Sequence, residues 1–521
     1  MGGGIIQLVA IGKQDIFLTS DPQVTYFKIV YRRHTNFSTE MIKQNFTKDP
    51  NFGTKTTCFL SQAGDLIRKI YFVVDLPLLP KIVDNEGNKD TLTKVAWVRR
   101  LGYAMIRFVE IEIGSQLVDK QFGEWMHIWS ELTVNDDKLR GLSQMIGDRD
   151  ELISFSNGKN SFRLYIPLQF WFCRNTGLAL PISALQYSDV KINIELRDLN
   201  ECIITTPTHY IQLENGLVDY KPFEYITQNV DGVEANGIFV SYDFTNRRLY
   251  YIRVSRNPFL GTASTTSDPF NNTTLDKFKI IGESSKYEGL PAAGVVEHPH
   301  RFNNRQLNSI FIKSAFLLVE YVFLDIEERL RFAGEKHEYQ IDVLSYDGEK
   351  QVDSSSQRLR LGLNHPTREL FFVAQFDFLQ DTRINDHFNY TDNFRRGIKN
   401  TFFGSTFGDP IGKNLVNIAT VVFNGQERLG IRDAEYFNWI QSYQHHTKSQ
   451  KEGINIYSFS LFPEKYQASG AANLSRIDEV TLQIRLNNKV NQNNIAKMRV
   501  YALNWNRLRI ANGLGGLVFT E

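Results

Sequence analysis

Apolar and polar side chains alternate along many short segments of this chain, and this period of two constrains the fold more than any other feature. In residues 189–199, four aliphatic side chains from Val190 to Leu196 alternate with polar ones, and residues 480–486 repeat the pattern. Successive side chains of a β-strand point to opposite faces, so each segment has one buried and one solvated face. The pattern predicts further strands at residues 69–76, 106–113, 162–166, 238–243, 250–254, 309–325, 370–376, 416–423 and 454–461.

Few helices are expected, and two segments are candidates. Residues 122–134 carry an apolar stripe at helical spacing, formed by Trp125, Ile128, Trp129 and Leu132. Residues 433–444 carry a second stripe on one side, formed by Tyr436, Phe437, Ile440 and Tyr443. Both segments lie between predicted strands and are too isolated for an α/β fold. Many short strands with Gly, Pro and Asn turns instead indicate an all-β sandwich or jelly roll.

The charge balance argues against direct contact with a genome, although it leaves a local basic patch open. The chain has 59 basic and 58 acidic residues, a net charge of +1, whereas phosphate neutralisation requires a basic face. A net charge near zero also removes the long-range repulsion between copies, which suits a subunit that packs edge to edge. The 521 residues are enough for two large β domains.

The cysteine pattern predicts neither disulfides nor a metal site. Cys58, Cys173 and Cys202 lie far apart without a C-x-x-C motif, which is typical of a reducing compartment and of three buried small apolar side chains. No apolar run reaches the roughly 18–20 residues needed to span a bilayer. Residues 1–12 are expected to form an apolar arm that packs on a neighbour.

Motifs for catalysis or cofactor binding fail at individual residues. Residues 408–414 have a phosphate-loop appearance, but their glycine spacing is one short and Asn414 replaces the Ser or Thr that would hold Mg²⁺. The adjacent His445 and His446 point in different directions on either a helix or a strand, so we interpret them as packed or surface histidines. The sequence therefore predicts a protein that is not an enzyme, without cofactor or metal.

Long phrases of the sequence resemble one viral family. The most specific are residues 166–197, IPLQFWFCRNTGLALPISALQYSDVKINIELR, and residues 423–486, which contain FNGQERLGIRDAEYFNWIQSYQHHTKSQ. Residues 7–38, 327–344, 363–373 and 500–520 add matches in the same order along the chain. Together these segments resemble the major capsid protein of the nucleocytoplasmic large DNA viruses.

The resemblance implies an all-β fold of two consecutive eight-stranded jelly rolls, with a few short helices in long loops. It implies a homotrimeric, pseudo-hexameric capsomer that tiles the outer capsid of a large icosahedral double-stranded DNA virus and is assembled in the host cytoplasm. The implied partners are neighbouring capsomers, minor capsid and penton proteins, and an inner viral membrane reached through minor proteins. Direct nucleic-acid binding is not expected.

The sequence divides at changes in pattern. We predict an N-terminal arm at residues 1–24, a first jelly roll at 25–215, a connector at 216–237 and a second jelly roll at 238–521. Residues 261–294 are expected to form an exposed irregular loop.

Two further sets of residues are candidate sites. Six N-x-[S/T] sequons offer glycan acceptors, with the adjacent pair at 271 and 272 the best placed on an outer loop; they are Asn36, Asn45, Asn271, Asn272, Asn389 and Asn473. Arg329 and Arg331 are two apart in a strand-like or turn context, so they are expected to point the same way. They would serve an inter-subunit ion pair or a contact with minor capsid proteins, or else form an ordinary surface.

Two other functions remain open from the sequence. A carbohydrate-binding or hydrolytic β-sandwich would need an acidic pair in an aromatic cleft. A related double-jelly-roll protein could serve as a scaffold or spike base and share the fold without tiling a lattice.

Overall fold

Strands dominate the computed structural model. It describes residues 3–21, 34–83, 88, 90–221, 223–262, 273–301, 307, 309–381, 384–392, 412–492 and 494–520, apart from the side chains of 14, 17, 18, 273 and 274. Sixteen of its strands, numbered here in chain order, form two barrels. The first eight are β1 (Phe37–Gln44), β2 (Lys55–Phe59), β3 (Leu66–Leu76), β4 (Ile106–Ile113), β5 (Gln116–Phe122), β6 (Phe162–Pro167), β7 (Val190–Leu196) and β8 (Ser314–Leu324).

The second barrel repeats the first. Its strands are β9 (His337–Val352), β10 (Ser356–Leu361), β11 (Pro366–Phe376), β12 (Val416–Phe423), β13 (Gln426–Asp433), β14 (Ile454–Ser458), β15 (Val480–Leu486) and β16 (Ala496–Ala511). The first barrel has the sheet orders β1-β8-β3-β6 and β2-β7-β4-β5, and the second has β9-β16-β11-β14 and β10-β15-β12-β13. Adding eight to each strand number converts one order into the other. Both units are jelly rolls, as expected.

The apolar side chains that alternate along the strands form the core of each roll. In the first roll, Phe72 and Val74 of β3 face Ile192 and Ile194 of β7 within one buried cluster. The second roll has its own cluster, with Phe372 of β11 among its members. Apolar faces of two sheets exclude water from each other, which is the main stabilising force of a sandwich.

The turns follow local chemistry. Asn424 and Gly425 connect β12 to β13 with φ of 48° and 80°. Both values lie in the left-handed region that a tight hairpin requires and that Asn and Gly tolerate best.

Strand pairing corrects the predicted domain boundaries. β8 lies between β1 and β3, with Val319 opposite both Ile42 and Ile70. The closing strand of the first roll therefore falls within residues 238–521, which were assigned to the second roll. The alternation predicted a strand here, but a period of two does not identify the partner of a strand.

The segment between β7 and β8 is a small domain of its own. A seven-stranded sheet forms here from Glu288–Gly289, Ile280–Gly282, Tyr225–Val230, Val233–Asp243, Arg248–Arg253, His209–Gln212 and His298–Pro299, in that order. It has a separate buried cluster that includes Ile211, Ile226 and Tyr251. The predicted connector and the predicted loop at 261–294 thus both contribute strands, while residues 263–272 of that loop lie outside the described residues.

Short pairings and helices complete the chain. Lys94–Trp97 pairs with Ile203–Thr206, Leu180–Pro181 with β3, Ala472–Asn473 with β11, and Leu514–Leu517 with β16. The α-helices are Gly3–Val9, Lys13–Thr19, Leu101–Ala104, Gly123–Thr133, Asp136–Met145, Asp150–Ile153, Trp171–Arg174, Leu199–Cys202, Thr273–Asp276, Ile326–Gly334 and Gln441–His445. A π-helical turn spans Tyr436–Ile440, and 3-10 turns span Thr176–Leu178, Ile182–Ala184, Asp377–Gln380 and Leu474–Arg476. Within the described residues, none of the helices is long and apolar enough to cross a membrane.

Candidate subunit interface

One helix joins the two jelly rolls. The predicted helix at 122–134 is confirmed as Gly123–Thr133, which follows β5 directly. Met126 packs into the first core, whereas its predicted stripe of Trp125, Ile128, Trp129 and Leu132 packs on the second roll. The ring of Trp125 meets Phe371 of β11 edge-on, with centroids 4.8 Å apart. This apolar contact makes the two rolls one unit.

The helix begins at a position that only glycine can occupy. A Cβ on Gly123 would lie 2.1 Å from the carbonyl oxygen of Tyr103 and 2.4 Å from that of Ile106. Both distances are far inside van der Waals contact. The backbone of the helix therefore approaches the first roll closely, and this approach aims the tryptophan face at the second roll.

Buried ion pairs fix the joining helix to the first roll. Arg197 binds Glu124, and Arg100 binds Glu131, with all four side chains almost fully buried. Burial works against ionisation of Glu124, but Arg197 and Arg499 hold its pKa below the usual range. Removing one partner of such a pair leaves an uncompensated buried charge, which is strongly destabilising. No local pattern in the sequence indicates these pairs, because their members lie far apart in the chain.

The second roll carries an equivalent helix. Its outer side is not covered by the other roll in the part of the chain that the structure describes. Residues 434–445 follow β13 just as the first helix follows β5. Phe437 packs into the second core, where its ring lies 5.4 Å from that of Phe372. The opposite side exposes Trp439 by 56%, Ile440 by 45% and Tyr443 by 86%.

The two helices carry apolar side chains at corresponding positions. Relative to Met126, the first helix places apolar side chains at positions +2, +3 and +6, which are Ile128, Trp129 and Leu132. Relative to Phe437, the second helix places Trp439, Ile440 and Tyr443 at the same positions. The first set is buried against the neighbouring roll and the second faces solvent. The predicted stripe is thus partly wrong: Ile440 and Tyr443 share a side, but Phe437 points inward.

The first roll offers a matching acceptor face. On the second roll, the joining helix covers the outer face of β9-β16-β11-β14, including Phe371, Val373 and Tyr501. On the first roll, many of the equivalent outer positions of β1, β3, β6 and β8 are also apolar, and Glu320 of β8 lies among them opposite Met41 and Lys69. Pairing register places Tyr71 opposite Leu318 and Val73 opposite both Phe316 and Tyr165, while Phe37 and Met41 extend the same face on β1.

This acceptor face is accessible in the single chain. Tyr165, Met41 and Phe37 are exposed by 38%, 43% and 56%, and Phe316 and Leu318 are partly exposed. Lys43 lies over the ring of Phe316 at 4.5 Å, and Arg163 pairs with Asp75 at the margin. An apolar centre with a charged rim is the usual composition of a protein interface.

The two candidate arginines do not act as a pair. They lie in the helix Ile326–Gly334, where residues two apart point to different sides. Arg329 binds both carboxylate oxygens of buried Asp65, at 2.9 Å and 3.1 Å. Arg331 is exposed and pairs with Glu335. The expected common direction is wrong because the segment is a helix and not a strand, and the interface role of Arg331 stays a prediction.

The candidate glycan acceptors differ in access. Asn389 is only 1% exposed, and its Oδ1 accepts hydrogen bonds from the backbone and hydroxyl of Thr391, so this candidate is wrong for the folded chain. Asn36, Asn45 and Asn473 are exposed and remain candidates. Asn271 and Asn272 lie outside the described residues.

The other sequence candidates are structural. Cys58 and Cys202 are buried and Cys173 is partly exposed, and all three thiols are free. Burial raises the pKa of each thiol to about 12. In the part of the chain that the structure describes, no group of three or more His, Cys, Asp and Glu side chains could hold a metal ion. The phosphate-loop candidate at 408–414 falls mostly outside the described residues.

Comparisons with known proteins agree on one family. The family model "Major capsid protein N-terminus" matches residues 25–244, and "Large eukaryotic DNA virus major capsid protein" matches residues 328–516. The chain is 42% identical to "Probable capsid protein 4" of Acanthamoeba polyphaga mimivirus, over 100% of this chain and 99% of that protein. It is 33% identical to the "Major capsid protein" of Phaeocystis pouchetii virus, over 100% of both chains.

Solved structures support the fold. The PBCV-1 virus capsid model matches with a TM-score of 0.61 at 24% identity, covering 95% of this chain and 100% of that chain. The Faustovirus major capsid protein matches with a TM-score of 0.65 at 12% identity, covering 96% and 94%. At these identities the likeness concerns the fold, which is a double jelly roll.

Proposed function

Because the chain belongs to the family of major capsid proteins of large eukaryotic DNA viruses, we propose that it is the building block of such a virus's outer shell. Three copies form a pseudo-hexagonal capsomer, and capsomers tile the icosahedral surface. The protein is structural, and its surfaces carry its function. The observation that carries this proposal is the match between the buried helix of the first roll and the exposed helix of the second.

The contact between the two rolls of one chain is a template for the proposed contact between chains. Within a chain, the first roll uses Ile128, Trp129 and Leu132 to hold the second roll. If the exposed triplet of the second roll docks on the first roll of the next copy in the same way, the contact repeats around a ring. Two rolls per chain and three chains make six equivalent positions. A head-to-tail contact of this kind gives a closed ring when its rotation completes a circle.

The exposed side chains supply apolar surface for this contact. Fully burying one large apolar side chain contributes roughly 1.5–3 kcal/mol. Each helix supplies Trp439, Ile440 and Tyr443, and the acceptor face supplies Tyr165, Met41 and Phe37. Closing the ring makes three such contacts at once, so dissociation of one subunit breaks two of them.

The wider assembly follows from the family. We propose that trimers assemble in the host cytoplasm and contact neighbouring trimers, minor capsid proteins and penton proteins, with an inner membrane reached through minor proteins. The net charge of +1 supports an outer position without direct contact to the genome.

Mass photometry of the purified protein tests the trimer. Wild type is expected at three times the chain mass of 60.1 kDa. The double variant Trp439→Ser/Tyr443→Ser is expected to be a folded monomer, because both side chains are more than half exposed in the single chain and lie outside its core. Phe244→Ser is the control, since Phe244 is 63% exposed but lies away from this helix on the inserted sheet. A monomeric wild type, or a double variant that still forms trimers, would contradict the proposal.

A further inference from the structure

A buried histidine lies at the end of the exposed helix. The helix Gln441–His445 ends just before His446, whose side chain is fully buried. Its Nε2 lies 2.5 Å from Oε1 of Glu369, and its Nδ1 lies 2.9 Å from Oε1 of Glu464. The neighbouring His445 is different, because it is partly exposed and its Nδ1 lies 3.0 Å from the carbonyl oxygen of Leu461, with no carboxylate paired to it in the described residues.

The three side chains come from three separate elements. Glu369 belongs to β11 of the second roll, and His446 follows the end of the helix. Glu464 lies in the segment between β14 and β15. Glu464 also accepts hydrogen bonds from the backbone and hydroxyl of Thr447. The imidazole thus ties the end of the helix to the sheet on one side and to a surface loop on the other.

This geometry requires the charged form of the ring. A neutral imidazole has one N–H donor, so one ring nitrogen would direct a lone pair at a carboxylate oxygen. The imidazolium donates from both nitrogens and places a positive charge between two negative ones. Burial opposes the charged form, but Glu369 and Glu464 overcome that effect and raise the pKa of His446 to about 9.

Other charged groups near this site are already engaged. Arg368, next to Glu369, binds Asp342 at 2.8 Å, and Arg174 from the first roll approaches the same carboxylate at 3.6 Å. Lys448 pairs with Asp136 of the first roll at 2.6 Å. Burial lowers the pKa of Arg368, which is nevertheless far too basic to titrate near neutral pH. With its pKa raised to about 9, His446 is a group at this helix that titrates above neutral pH.

We propose that His446, as an imidazolium held between Glu369 and Glu464, is the positioning residue of the subunit interface, and that its deprotonation releases the exposed helix and dissociates the trimer. This inference rests on the proposed function. Trp439, Ile440 and Tyr443 can meet a flat acceptor face together only while both ends of the helix are fixed. Phe437 fixes the beginning of the helix in the core, and His446 fixes its end.

Mass photometry between about pH 7 and about pH 10 tests the inference. Wild type is expected to remain trimeric to about pH 8 and to lose at least tenfold in association constant as the pH passes about 9. His445→Gln is the matched control and should follow the wild-type curve. His446→Gln, which cannot carry the charge, should assemble weakly at all pH values and show no alkaline transition.

A second readout separates positioning from folding. Hydrogen exchange of the peptide spanning residues 434–447, corrected for intrinsic rates, should speed up above about pH 9 in wild type while β11 and β16 stay protected. A wild-type trimer that is insensitive to pH over this range, or His446→Gln with the wild-type transition, would overturn the inference while leaving the trimer intact. A wild type that is monomeric at about pH 7 would instead overturn the proposed function.

Discussion

The equivalence of the two helices predicts opposite outcomes for two matched substitutions. Leu132→Ala removes a side chain that is fully buried between the rolls, and Tyr443→Ala removes its counterpart, which is 86% exposed. The first should destabilise the single chain, whereas the second should destabilise only the assembly. Their difference therefore tests whether one packing arrangement serves both within and between chains.

The magnitudes follow from burial. A buried Leu→Ala change costs about 2–5 kcal/mol, made up of the lost transfer energy and the cavity that remains. Leu132 lies among Trp125, Trp129 and Phe371 in the cluster between the rolls, whose large rigid rings cannot collapse into a gap, so we expect about 3 kcal/mol or more. Substitution of an exposed residue such as Tyr443 changes the free energy of unfolding by less than about 0.5 kcal/mol.

Urea unfolding, followed by tryptophan fluorescence at two protein concentrations, measures both effects. At a concentration low enough to give monomers, Leu132→Ala should shift the unfolding midpoint and Tyr443→Ala should not. At high concentration Tyr443→Ala should lose the extra stability that wild type gains from association. Equal destabilisation of the monomer by both variants, or an unchanged midpoint for Leu132→Ala, would refute the equivalence.

Two further predictions concern the junction between the rolls. Gly123→Ala should destabilise the chain by several kcal/mol in urea unfolding, because its Cβ would lie 2.1 Å from the carbonyl oxygen of Tyr103, whereas Gly141→Ala, with no atom within 4 Å, should stabilise by about 0.5–1 kcal/mol. Burial raises the pKa of Asp119 to about 6 although its Oδ1 accepts a hydrogen bond from the backbone of Leu344, so its ionisation costs stability as the pH rises from about 4 to about 6. Asp119→Asn should therefore gain stability over wild type across that range and keep a constant advantage above it. A stability difference that does not change with pH would contradict the assigned cause.

Local patterns predicted much of the fold. The strands at 106–113, 416–423 and 480–486 have the predicted bounds, because alternation along a strand is determined by which of its own two faces is buried. The helix at 123–133 could also be predicted, since its tryptophan stripe repeats at helical spacing within one short segment.

Part of the candidate interface was also visible in the sequence. Ile440 and Tyr443 were assigned to one side of a helix, which the structure confirms. Their apolar character did not reveal whether that side is covered. An apolar stripe at corresponding positions is buried in the first roll and exposed in the second, because the neighbouring roll covers only the first. Whether a side chain is exposed depends on which other parts of the structure cover it, and no local pattern encodes this.

What the sequence by itself determined is the type and place of the elements with a clear local period, such as the strands at 106–113 and 480–486, because periodicity depends only on neighbours in the chain. Tertiary structure alone decided that β8 closes the first roll after the inserted sheet, and that His446 lies between Glu369 and Glu464. Such contacts join residues far apart in sequence. Their energies depend on burial and on partners that come together only when the whole chain has folded.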